Sequence, residues 1–121
     1  MKKLYAILII GVLAIAASAQ QRTVSEVKKS IEGMNLSIEN IKSAMNRLKP
    51  AFTNDETKEL AETWYVAGRV QYRLYDKYMS NRAIGKKVDA KAMGHALIEG
   101  YEHFNKALKL DTIIEKVLER I

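Results

Sequence analysis

The chain has no cysteine, one proline and six glycines in 121 residues. Without cysteine there is no disulfide, thiolate nucleophile, thiolate zinc site or cysteine-linked lipid anchor. So little proline and glycine excludes collagen-like and proline-rich linker architectures. No nucleophile elbow, phosphate-cradling glycine loop, HExxH pair or EF-hand loop occurs either. A non-enzymatic protein without a cofactor is the expectation. Acidic side chains are the minority, 14 against 20 basic ones, for a formal net charge of +6. Lys2 and Lys3 fall in a segment expected to be removed, which leaves 18 basic side chains against 14 acidic ones, or +4. That is mildly basic and no polycation. The apolar fraction of 48% is globular, and the length suits one domain.

The beginning of the chain has the three parts of a secretory signal. Lys2 and Lys3 give a positive start, Leu4 to Ala17 form an apolar run, and Ala17-Ser18-Ala19 offers a small-x-small cleavage site before Gln20. A helix over that run is too short to cross a roughly 30 Å hydrocarbon core comfortably. The expectation is therefore a signal peptide over residues 1–19, cleaved after Ala19, and a helical domain over 20–121. The signal is bacterial in style, which implies a periplasmic or outer-envelope location. Nucleic acid is an improbable ligand for an exported protein.

The remaining sequence has helical periodicity almost throughout and no sustained alternation, so the predicted fold class is all-α. Val24, Val27, Ile31, Met34, Ile38, Ile41, Met45 and Leu48 follow at intervals of three and four. Gly33, Asn35 and Ser37 interrupt this stripe, since glycine costs about 1 kcal/mol within a helix and the other two favour caps. Two helices result, about 23–33 and 37–49, packed as a hairpin, the first opened by a capping box at Thr23 and Glu26. Pro50 ends the second or kinks it for one further turn. A second capping box, Thr53 to Glu56, predicts a third helix over about 55–78, with Leu60, Ala61, Trp64, Ala67, Gly68 and Leu74 inward. Asn81 and Gly85 mark residues 80–88 as a loop, made basic by Arg82, Lys86 and Lys87. Asp89 can cap a fourth helix over about 90–109, with Met93, Ala96, Leu97, Gly100, Tyr101, Phe104, Ala107 and Leu108 on a broad apolar face. A final helix over 112–121 carries Ile113, Val117 and Leu118.

Trp64, Ala67 and Gly68 reproduce the spacing that opens a tetratricopeptide repeat, and Gly100, Phe104 and Ala107 reproduce that of its second helix. With Thr63-Trp64-Tyr65, Tyr75-Asp76-Lys77-Tyr78 and Met93-Gly94-His95-Ala96-Leu97, the segment from Ala61 to Asp111 resembles the N-terminal part of exported bacterial tetratricopeptide-repeat proteins. The resemblance implies antiparallel helical hairpins in a short α-solenoid, with Gly68 and Gly100 at close helix approaches and Trp64 and Phe104 between hairpins. Gly68 to Gly100 spans 32 positions, where an ordinary repeat leaves room for about 12, so one hairpin is extended. Gln71 and Thr112 stand where the family pattern has an aromatic and a proline.

The resemblance also implies a groove on the third helix that holds a peptide or helix of another envelope protein. Tyr65, Arg69, Tyr72 and Arg73 fall close to one stripe there. Two guanidiniums and two phenols suit an acidic partner, because arginine binds carboxylates through a bidentate fork. A solvated face carrying arginines for solubility is the alternative for the same residues. His95, Glu99 and His103 stand four apart, but one helix supplies too few ligands to close a metal site, and a polar border is expected. The basic loop can make peripheral contact with lipid headgroups, each charge near an anionic surface being worth about 1 kcal/mol. A short repeat array leaves an apolar end, so the alternative function is a structural, self-associating protein, joined through the C-terminal helix, or the leading fragment of a longer array.

Overall fold

The computed structural model describes residues 19–33, 35–111 and 119–120. The expected signal peptide, apart from Ala19, Met34 of the first stripe, and the expected final helix, apart from Glu119 and Arg120, lie outside the described residues. The described residues are all-helical, with no strand among them. Residues 19–30 form α1; α2 is Ile38–Leu48, α3 is Ala61–Ala83 and α4 is Ala90–Leu110.

Thr23 does not cap α1. Its hydroxyl donates to the Ala19 carbonyl one turn back, so it sits inside the helix. The helix gives way at residue 30, earlier than its apolar stripe suggests, and the chain turns before α2. There the Ser37 hydroxyl accepts from the Asn40 amide, a side-chain N-cap. Pro50 converts the end of α2 into one 3-10 turn, Lys49–Phe52, since its ring tolerates an N-terminal helical position and no interior one.

The second capping box builds a turn and not the start of α3. The Asn54 side chain accepts from the Glu56 amide, and the Asn54 carbonyl accepts from the amides of Thr57 and Lys58. Thr57 is wholly buried and donates its hydroxyl to the Ala51 carbonyl at 2.7 Å. That bond holds residues 55–59 against the 3-10 turn, and α3 begins only at Ala61. Leu60, expected inward, precedes it with extended backbone and is 38% exposed. At its other end α3 runs through Asn81, whose propensity penalty is small, and stops where Gly85 takes φ +83°. Gly85 N–H donates to Arg82 and Lys86 N–H to Asn81, the paired bonds of a Schellman stop. Asp89 caps α4 by accepting from the amides of Lys91 and Ala92.

The main core joins α1, α2 and α3. Val24, Val27 and Ile31 meet Ile41, Ala44, Met45 and Leu48, with Ala51, Val66, Ala67 and Val70 closing the cluster. Val66 and Val70, missing from the expected inward set, are fully buried because α3 has neighbours on both sides. Pairs of Glu26 with Arg47 and of Lys28 with Glu62 tie α1 to α2 and α3 across exposed surface; such pairs steer register more than they stabilise.

The fourth helix runs antiparallel to α3: Trp64 lies by His103, Gly68 by Phe104 and Gln71 by Glu99. Its expected broad face divides. The small residues Ala96, Gly100 and Ala107 are buried, whereas Leu97, Tyr101 and Leu108 are 47%, 69% and 51% exposed. The reason is packing: α4 pairs extensively with α3, and Gly100 stands at their close approach.

Candidate functional site

The crossing of α3 and α4 rests on two glycines. A Cβ on Gly68 would stand 2.5 Å from the Phe104 ring, and one on Gly100 would stand 3.3 Å from Gln71 Cβ and 3.6 Å from the Gly68 carbonyl. Phe104 therefore packs against the Gly68 position, inside the α3–α4 pair and not between hairpins as expected. On one side of this crossing Trp64 stacks on Phe52 with centroids 4.7 Å apart, and His103 tilts against both rings at 5.5 and 5.6 Å. The indole N–H donates to the Lys58 carbonyl at 2.7 Å, and the Lys106 ammonium sits 3.9 Å from the ring centroid. Burial pushes the His103 imidazole below its usual range, against the opposing pull of Glu99 and Glu102. The Glu99 carboxylate accepts from the Gln71 amide at 2.7 Å, and His95 is exposed. Among the described residues no group of three His, Asp or Glu side chains converges as metal ligands would.

On the other side lies the expected groove stripe. Tyr65 and Tyr72 are 43% and 48% exposed, with half-buried Arg69 between them in sequence. The Tyr65 ring lies 6.0 Å from Phe104, and the Lys28 ammonium is 5.9 Å from its centroid. That ammonium is held charged above its ordinary range by its bond to Glu62. Tyr72 leans on Tyr75 at 6.4 Å. The Arg69 side chain makes no hydrogen bond or ion pair among the described residues. Arg73 behaves differently: one guanidinium nitrogen donates to the Gly33 carbonyl at 2.6 Å, which pins the α1–α2 turn to α3.

The same side opens into a hollow of about 490 Å³ lined by Ala61, Glu62, Tyr65, Phe104, Leu108 and others. Two side chains around the α3–α4 crossing had no local signal in sequence. Lys28 reaches Tyr65 from another helix, and Phe52 meets Trp64 from the 3-10 turn. An amphipathic pattern identifies which side chains are apolar and leaves open which helix they touch.

The molecule's class, as far as the described residues go, is a small all-helical protein built on close helix pairing. No family model, curated protein or solved structure matches the chain.

Proposed function

We propose that this chain is an exported, non-enzymatic interaction scaffold of the bacterial cell envelope, a short tetratricopeptide-like solenoid that holds a segment of another protein along α3. The antiparallel α3–α4 pairing through Gly68 and Gly100 supports the repeat reading. The observation that carries the binding reading is Arg69, a guanidinium without a partner among the described residues, placed between two half-exposed tyrosines. Unpaired arginine beside phenol rings suits a carboxylate: the fork supplies two parallel bonds, and the rings supply apolar area with polar tips.

The test is binding of glutamate- and aspartate-rich helical peptides to the full chain. Arg69→Ala removes one charge-assisted contact, of about 1.5–3 kcal/mol, and weakens binding by at least tenfold with helicity unchanged. Equal binding by the variant rejects the groove. Arg73→Ala is a poorer probe, because it also releases the Gly33 carbonyl.

A second reading has its own support. The exposed Leu97, Tyr101 and Leu108 on α4 suit further packing, either against following repeats or against a second copy. Sedimentation of the chain over a range of concentrations separates the two, since self-association through this face gives a mass that rises with concentration.

A further inference from the structure

The hairpin tip between α3 and α4 carries an arrangement that the groove does not use. Ile84 is 70% exposed, the largest exposure among the large apolar side chains described. Arg82, Lys86, Lys87 and Lys91 surround it in sequence, all exposed, and none forms an ion pair among the described residues. The nearest acid in sequence, Asp89, spends its carboxylate on the α4 N-terminus, and Glu39 of α2 lines a shared hollow with Lys86 without pairing to it. The presentation is fixed by backbone. Gly85 at φ +83° and the bonds from Gly85 to Arg82 and from Lys86 to Asn81 hold Ile84 at the C-cap of α3, where the chain reverses.

We infer that this tip is a peripheral docking point for an anionic bilayer surface, with Ile84 entering the headgroup boundary and the four cations lying among the lipid phosphates. A lone exposed aliphatic side chain is ordinary on a protein surface, and what sets Ile84 apart is its place among four exposed, unpaired cations. Cations around a single aliphatic wedge match the layering of a bilayer, acidic outside and apolar beneath. An acidic protein segment is the weaker match. A projecting turn offers it no channel, and no aromatic side chain stands within residues 79–93 to anchor it. No described helix is long and apolar enough to cross a membrane, so the contact is superficial. The inference is independent of the groove on α3.

The chain has no natural cysteine, so a single Ala83→Cys, carrying an environment-sensitive fluorophore, reports on the tip. Ser43→Cys on α2 serves as the distant control; both positions are exposed. The full chain is mixed with vesicles of phosphatidylglycerol and phosphatidylethanolamine, or of phosphatidylcholine, and its N-terminal apolar run is common to every arm. The tip label shifts to the blue and is quenched by nitroxide lipids in the anionic vesicles alone, whereas the α2 label stays in water. Combining Arg82→Ala, Lys86→Ala and Lys87→Ala raises the lipid concentration needed for the tip shift about a hundredfold, at about fivefold per charge. Ile84→Ser raises it about tenfold. The triple Lys29→Ala, Lys42→Ala and Lys49→Ala removes equal charge elsewhere and leaves the shift in place. Circular dichroism confirms that each variant is folded. A tip label that remains in water with anionic vesicles overturns the inference. So does a distant triple as damaging as the tip triple, or a tip shift obtained with polyglutamate and not with vesicles.

Discussion

Replacing Gly68 by alanine sets two opposed effects against each other at one atom. Within α3 the new methyl group improves helix propensity by about 1 kcal/mol, because glycine carries the larger entropy loss on folding. The same methyl stands 2.5, 2.6 and 2.8 Å from Cδ1, Cε1 and Cγ of Phe104, and all three are too close. The clash reaches the root of the ring, so it requires a χ1 change or a shift of α4. Overpacking of this kind costs about 1–3 kcal/mol. The net effect is a loss of about 0–2 kcal/mol. The sign should reverse once the ring is gone: in a Phe104→Ala background, Gly68→Ala gains stability by up to about 1 kcal/mol. Urea unfolding followed by far-ultraviolet circular dichroism of the four chains gives a double-mutant cycle with a coupling of about 1–3 kcal/mol. If Gly68→Ala has the same effect in both backgrounds, Phe104 does not lie over Gly68, and the close approach of α3 and α4 is wrong.

Other consequences follow from the same packing. Gly94 lies within α4, and a Cβ added there would meet nothing within 4 Å. Gly94→Ala should therefore gain the helix-propensity benefit of about 1 kcal/mol undiminished and raise the thermal midpoint by about 4–8 °C; an unchanged or lower midpoint counts against that open surface. For His103, burial depresses the folded-state value below the unfolded 6.5. The stability it contributes is thus full above that value and lost as pH falls through the folded one. As pH falls below about 7 the chain should weaken, and His103→Phe, which keeps a ring against Phe52 and Trp64, should flatten that part of the profile. Equal slopes in both proteins refute the assignment.

The helical class was legible because Val24, Val27, Ile31, Ile41, Met45 and Leu48 keep the three-four rhythm, and in the structure each is buried. The interruption around Gly33 was legible for a local reason, the backbone preferences that glycine carries with it, whereas the end of α3 falls at Ala83 and not at the expected residue 78, because Asn81 does not act as a breaker beside Gly85. The start of α3 was not legible either. Thr53 to Glu56 satisfy the local rule for a cap, and the outcome is decided by Thr57, whose hydroxyl finds Ala51 from inside the fold. Burial on α4 was hidden for a related reason. Leu97, Tyr101 and Leu108 are apolar in any reading, but exposure depends on whether a neighbouring element covers them. On the candidate groove, sequence spacing placed Arg69 and Arg73 together, and could not register that Arg73 is bonded to a carbonyl forty positions earlier.

The chain has one tryptophan, and its indole lies where the 3-10 turn, α3 and α4 come together, between Phe52, His103 and the Lys106 ammonium. Intrinsic emission is consequently a single-site gauge of that junction. A neighbouring imidazole quenches indole light more strongly once protonated, so acid should dim the signal before the helices melt, and separation of α4 from α3 should redden it.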